Sequence, residues 1–310
     1  MNGLIGLDWG TSSLRAYRLD GAGHIEETRH RPWGIRQLPD GGFDAVLASI
    51  TEGWPALPRL ACGMVGSRSG WHETPYLDLP AGATEIGHAL CRLMAADGID
   101  VHVAPGLRDP RGPDLMRGEE TQLVGALALR PVLADASSWI LPGTHSKWAT
   151  VRDGTVTGFR TLMTGELFAL LQQHSILGTG TTATTPHPEA FTRGVVAARD
   201  SGAAGALSRL FSARTLMLDG SLAQDAVPDY LSGLLVGEEF RAAIADGLAR
   251  RDTPLQLIGD ATLCERYRRA ATHFDIELGP PLADAAAHGL WQLAVHAGLV
   301  HLTSKDIPSC

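Results

Sequence analysis

The chain opens on two apolar runs of strand length set around a polar turn. Residues 4–7 (LIGL) are apolar throughout, residues 8–13 (DWGTSS) hold an acid, a glycine and three small hydroxyls, and residues 14–19 (LRAYRL) form a second strand-like run ending at Asp20-Gly21. This pattern predicts a hairpin, with residues 24–31 as a third antiparallel strand. Phe43, Val46, Leu47, Ile50 and Trp54 then recur at helical spacing as far as Pro55. A short buried strand at 60–62 feeds a glycine-rich loop at 63–71. Beyond it the pattern predicts a helix over 84–96, a strand over 101–104, a Pro/Gly/Arg/Asp loop over 107–114 and a helix over 119–129 that Pro131 stops.

The same organisation then returns. Residues 138–141 read as a strand, 142–147 (PGTHSK) as a turn, 148–152 as a second strand, Asp153-Gly154 as a tight turn and 155–162 as a third strand. Helices are predicted at 165–174, 202–212, 230–250 and 262–273, a strand at 255–258, and a closing helix at 282–299. Residues 178–188 (GTGTTATTPHP) carry little apolar content and are the candidate mobile loop. Alternating strands and helices with two antiparallel hairpins predict an α/β protein whose domains are each a mixed β-sheet flanked by helices. The boundary is expected near residue 128, giving domains 1–128 and 129–310, with the last helix a candidate to pack back on the first.

A length of 310 residues accommodates two such domains with substantial cores. Hydrophobic residues make up 44% and charged residues 19%. No apolar run reaches the roughly 18 residues of a membrane span, and no basic segment leads into an apolar one at the N-terminus, so a cytoplasmic protein with no membrane partner is expected. The four cysteines, Cys62, Cys91, Cys264 and Cys310, form no CxxC pair, and the 12 histidines form no HExxH, which disfavours a disulfide framework or a zinc site. A net charge of −8 without a long basic run disfavours nucleic acid. A small anionic substrate needs only a few local cations, and Arg15, Arg68 and Lys147 stand in suggestive motifs.

Three stretches carry candidate chemistry. In the first turn Gly10 allows close backbone approach, Thr11, Ser12 and Ser13 offer N–H and hydroxyl donors to phosphate, and Asp8 is suited to hold the waters of a Mg²⁺ ion. An ordinary polar hairpin turn has the same composition. Gly143, Thr144, His145, Ser146 and Lys147 read as a second copy of that turn, with Lys147 as a charge for the β- or γ-phosphate or as a solvent-facing lysine. In the loop 63–76, Gly66, Ser67, Arg68, Trp71, Glu73 and Tyr76 combine a planar cation suited to an anion with hydroxyl-matching polar groups.

The strand-DxGT(S/T)-strand opening resembles the first phosphate loop of the sugar kinase, hexokinase, actin and heat-shock chaperone superfamily. With DWGTSSLRAY, GMVGSRSGWHETPY, MRGEETQLVGA and PGTHSKW in order, essentially the whole chain resembles the 2-dehydro-3-deoxygalactonokinase family. The resemblance implies a two-domain actin-like ATPase (ribonuclease H-like) fold with an interdomain cleft. It also implies ATP-dependent phosphorylation of the 6-hydroxyl of 2-dehydro-3-deoxygalactonate in galactonate catabolism, with ATP as co-substrate and Mg²⁺. It puts a general base at the start of an interdomain helix, where Glu119 matches; kinases of the group generally use Asp there, and Asp114 and Glu120 are rivals. Acids in a first helical turn also serve the helix dipole. The superfamily's adenosine motif matches at 257–267, where its usual glycine pair is Gly259-Asp260; Asp260 is equally placed to cap the helix. Another small-molecule kinase of the superfamily, or a nucleotide-dependent binding protein, are the competing readings. Oligomeric state is left open, a homo-oligomer included.

Overall fold

The computed structural model describes residues 3–181, 185–250 and 252–300. These divide into two compact units, each discontinuous in sequence. The first takes the chain through Asp135, then Val151–Phe159, then the chain from Ala283; the second takes Ala136–Thr150 and Arg160–Leu282. The sequence reading drew one cut near residue 128, whereas the contacts draw four.

In the first unit β1 (Leu4–Trp9), β2 (Leu14–Leu19) and β3 (Ile25–Arg31) are antiparallel neighbours, with Asp8 opposite Arg15. β4 (Arg59–Cys62) lies parallel to β1. α1 (Gly42–Ile50) adds Val46, Leu47 and Ile50 to the core formed by Ile5, Leu7, Trp9 and Leu14. It stops before the apolar period does, because Thr51 turns back onto the Leu47 carbonyl and Trp54 donates its indole N–H to Glu27. After β5 (Tyr76–Asp78) and β6 (Ala81–Gly82), the helix expected over 84–96 divides into α2 (Ala83–His88) and β7 (Cys91–Met94). β7 pairs with β8 (Asp100–Val103) at the sheet edge, which completes the order β3-β2-β1-β4-β8-β7. Leu93 packs on the core from a strand as readily as from a helix, and so short an apolar pattern does not separate the two.

The loop expected over 107–114 is also corrected. β9 (Gly106–Asp109) and β10 (Asp114–Met116) form a small sheet with β5, ordered β10-β9-β5. α3 (Glu119–Leu129) follows as expected.

The second hairpin set is β11 (Ala136–Leu141), β12 (Ser146–Arg152) and β13 (Thr155–Leu162). Its start repeats the first: β13-β12-β11-β14 matches β3-β2-β1-β4 in order, with β14 (Leu255–Leu257) parallel to β11 as β4 is to β1. The first residues of β13 belong to the first unit, where Thr155 and Val156 pair with Gly82 and Ala81.

α4 (Thr164–His174) is followed by α5 (Pro188–Arg199), a helix the sequence reading missed although Pro188 sits in its first turn. Three residues of the expected mobile loop 178–188, those at 182–184, lie outside the described residues. The helix expected over 202–212 is instead two short 3₁₀ turns followed by α6 (Ser212–Leu218), with Gly205 at φ +69° between the turns. α7 (Val227–Ala245) is buried on all sides, from Leu231, Leu234 and Leu235 to Phe240, which makes it the central helix of the unit. α8 (Ala261–Thr272) closes that unit, and α9 (Ala285–His296) packs in the first unit against α3 and β1.

Candidate active site

At the end of β1, Asp8 meets charges from two other elements, β2 and α3. Burial raises the Asp8 carboxyl above the ordinary carboxylate range; Arg15 across the hairpin opposes this, and the negative charge of Glu119 adds to it. Two acids far apart in the chain are thus brought within electrostatic reach. Glu119 is half-buried at the first position of α3 and accepts a hydrogen bond from the Arg117 N–H (3.0 Å). Its neighbour Glu120 is fully buried and takes the Gly118 N–H (2.6 Å) and the Thr121 hydroxyl (2.9 Å). Burial, with a contribution from Glu119, pushes Glu120 up to about 7. Asp114 is on β10, paired opposite Asp109, and accepts from the Leu115 N–H.

The first turn is short and braced. The Gly10 N–H donates to the Ser13 carbonyl (2.9 Å), while Ile35 and Arg36 donate to the carbonyls of Gly10 and Thr11. Ser12 and Arg15 are exposed, and Thr11 and Ser13 are half-exposed. Beside the turn, Gly63 continues β4 at φ +92° into the 3₁₀ turn Met64–Gly66.

Residues of the 63–76 loop separate into inner and outer sets. Trp71 stacks on Phe43 (centroids 5.5 Å) and meets Trp9 edge-on (6.1 Å), so its ring is part of the core packing. Ser67 donates to the Met64 carbonyl, holding the turn. Arg68 and Glu73 are exposed. Tyr76 lies 4.3 Å from the guanidinium of Arg117, which donates to the Thr74 hydroxyl through Nη1 and to the Thr74 carbonyl through Nη2 (2.8 Å). Gly66 leaves room for this arginine: a β-carbon there would sit 2.9 Å from Nη1.

In the second unit the turn between β11 and β12 differs from its counterpart in how deeply it is held. Ser146 is fully buried and shares a hydrogen bond with the Tyr267 hydroxyl (2.9 Å). Lys147 is buried, with Nζ on the His145 carbonyl (3.1 Å). His145 contacts Glu166, whose N–H donates to the Thr144 carbonyl (3.0 Å). Under the turn, buried Glu239 of α7 accepts from the Trp148 indole (2.9 Å) and the Tyr267 hydroxyl (2.6 Å), with further hydrogen bonds from Thr164 and Ser146. Burial raises the carboxyl of Glu239, and those hydrogen bonds oppose the rise.

A cavity of about 600 Å³ lies beside that turn, lined by Gly143 and Thr144, by Gly165 and Phe168 of α4, and by residues of α7 and α8 that include Leu263 and Arg266. Such a pocket, mostly apolar with a few polar groups, is the usual form of a nucleoside site. Arg266 is held in its wall by Asp229 (2.6 Å) and Ser232 (3.1 Å). Gly259 turns at φ +150° into α8, where Asp260 accepts from the Leu263 N–H (3.0 Å) and caps the helix. None of Asp229, Glu239, Arg266 or Tyr267 was singled out from the sequence. They sit in ordinary helical patterns, and only tertiary packing turns Asp229, Arg266 and Tyr267 to one cavity and sets Glu239 beneath the turn beside it.

The repeated hairpin sheet and the paired turns define the two-domain actin-like ATPase fold. The activator of 2-hydroxyisocaproyl-CoA dehydratase from Clostridium difficile, solved with ADPNP, shares that fold at 12% identity (TM-score 0.53, 95% of this chain and 94% of the other). A family model described as 2-keto-3-deoxy-galactonokinase matches residues 8–293, and the chain belongs to that family. It is 35% identical over 297 residues to the 2-dehydro-3-deoxygalactonokinase of Escherichia coli (strain K12), covering 94% of this chain and 97% of the relative. A crystal structure of a Sinorhizobium meliloti member of the same family superposes with a TM-score of 0.83 at 34% identity, over 94% of this chain and 98% of that one.

Proposed function

We propose that the chain is an ATP-dependent kinase that phosphorylates the 6-hydroxyl of 2-dehydro-3-deoxygalactonate, giving 2-dehydro-3-deoxy-6-phosphogalactonate in galactonate catabolism. The observation that carries this reading is the family match over residues 8–293. ATP is assigned to the second unit: its nucleoside to the cavity beside α8, its phosphates to Gly143, Thr144, His145, Ser146 and Lys147. Ser146 and Lys147 are buried and act on the shape and charge of that turn from beneath. The carboxylate of Asp260 is spent on its helix cap, so the Gly259-Asp260 turn meets the nucleoside with backbone.

The first unit is assigned the acceptor chemistry. Glu119 takes the proton of the 6-hydroxyl, which requires an ionised acid within hydrogen-bond reach of it. Glu120 is excluded from that contact by full burial and by two filled oxygens. Gly10, Thr11, Ser12, Ser13 and Arg15 present donors to phosphate. Gly66, Ser67, Arg68, Glu73 and Tyr76 are assigned to the sugar acid, with Trp71 bracing their loop.

Asp8 is assigned to Mg²⁺ through water. The residues fit such an ion: Asp8 is an oxygen donor whose anion is disfavoured by burial, opposed by Arg15, and disfavoured further by Glu119, and a hard cation would favour the anion. When bound, Mg²⁺ neutralises charge on the transferring phosphoryl group. The reading includes a cytoplasmic setting, which suits the free thiols of Cys62, Cys91 and Cys264. Among the described residues no helix is long and apolar enough to cross a membrane.

ADP release across a panel of sugars and sugar acids tests the activity. Turnover is expected to require the 2-keto-3-deoxy acid; turnover on a neutral sugar alone would move the chain to another kinase specificity, and slow turnover indifferent to any sugar would make it a nucleotide-dependent binding protein. Asp8→Asn should cut turnover by orders of magnitude with sugar-acid binding retained.

A further inference from the structure

Two arginines of the first unit are nearly fully buried, and they are held in opposite ways. Arg59, 6% exposed, makes a two-pronged ion pair with Asp97 at 3.0 and 2.6 Å, so its charge is neutralised although its Nε, too, is buried without an acceptor. Arg117, 8% exposed, has no carboxylate partner among the described residues: its two hydrogen bonds go to neutral oxygens of Thr74, and its Nε is buried with no acceptor. A guanidinium carries five N–H donors and stays charged, and burying such a charge without an anion is costly. The Tyr76 ring over its face recovers only part of that cost.

We propose that the missing anion is the C1 carboxylate of the sugar acid, and that Arg117 is the residue that selects an acid over a neutral sugar. This rests on the sugar-acid kinase reading above. The position supports it: Arg117 is two residues before Glu119, whose carboxylate is tied to the Arg117 N–H, and it contacts Thr74, Gly66 and Tyr76 of the 63–76 loop. One residue therefore joins the two: its guanidinium contacts the loop assigned to the sugar acid, and its backbone N–H holds the acid assigned to the hydroxyl. A carboxylate accepting from Nε and the free η N–H groups makes the bidentate pair that arginine geometry favours. Arg68 is exposed on the same loop, where a contact to the acid is screened and contributes little.

Equilibrium binding of 2-dehydro-3-deoxygalactonate and of its C1 carboxamide, measured calorimetrically, separates the roles without requiring turnover. Arg117→Met is expected to weaken binding of the acid on the order of 100-fold and to move the carboxamide by less than about threefold. Arg117→Lys should recover part of the loss, since it keeps charge but not the fork, and Arg68→Met should shift the acid-to-carboxamide preference less than Arg117→Met does. ATP affinity, a property assigned to the second unit, reports that each variant is folded; if Arg117→Met fails that check, Arg117→Lys carries the test through a reduced acid-to-carboxamide preference. The assignment is overturned if the Arg117 variants retain the wild-type preference, if acid and carboxamide weaken equally, or if Arg68→Met carries the loss. Wild-type protein that binds neither compound defeats the proposed activity itself, and this assignment with it.

Discussion

Asp8 and Glu119 each stand in a motif that predicts a role for one residue, while their electrostatic coupling belongs to the pair. The family resemblance pointed to Glu119 for the base, by its place at the start of a helix, and left Asp114 and Glu120 as rivals. Environment separates them: Glu120 is sealed, Asp114 is in a strand pair, and Glu119 shares its surroundings with Asp8. Glu119→Gln should lower turnover about 10²–10⁴-fold with sugar-acid affinity near wild type. Asp114→Asn should be mild in the same assay; the reverse pattern would transfer the role to Asp114. Glu120 makes a different forecast, on stability. Its folded-state pKa of about 7 is above the ordinary carboxyl value of 4.5, so between those values the folded state binds more protons than the unfolded one. Stability should therefore fall as pH rises from about 4.5 to about 7 and level off above, by an amount on the order of 3 kcal/mol. Urea unfolding across that window should show the slope in wild type and a flatter profile in Glu120→Gln.

Among elements, the hairpins and α3 were legible because each carries a long apolar period bounded by Gly, Asp or Pro. The segment over 84–96 was not, because a short stretch with Ile86 and Leu93 fits a helix and a strand alike, and pairing with β8 decides. Close helix packing was also hidden. A β-carbon on Gly125 of α3 would overlap the Ala285 carbonyl of α9, and one on Gly289 of α9 would overlap the Thr121 carbonyl of α3. Read from the sequence, a mid-helix glycine is only a weak point in its helix; here it lets two backbones touch. Gly125→Ala should lower stability by about 1–3 kcal/mol or more through overpacking, despite its better helix propensity. Gly112→Ala, where nothing lies within 4 Å, is the control and should be near neutral in the same denaturation series.

For the molecule as a whole, the first unit is completed by the last described helix. α9 lies against α2, α3, β1 and β4, and Leu290 and Leu293 are fully buried. A chain ending at residue 282 should therefore lose amide-exchange protection across β1, β4 and α3, and unchanged protection there would show that α9 is dispensable to the unit. The sequence alone determined the α/β class, the two hairpin turns with their phosphate-suited residues, and the family resemblance. These rest on local patterns, in which neighbours in the chain are neighbours in space. Tertiary structure alone decided which of three acids meets Asp8, which arginine is buried without a counter-ion, and which faces of α7 and α8 line a cavity. Those properties depend on burial and on contacts between residues far apart in sequence, and the free energy of a charge is set by what surrounds it.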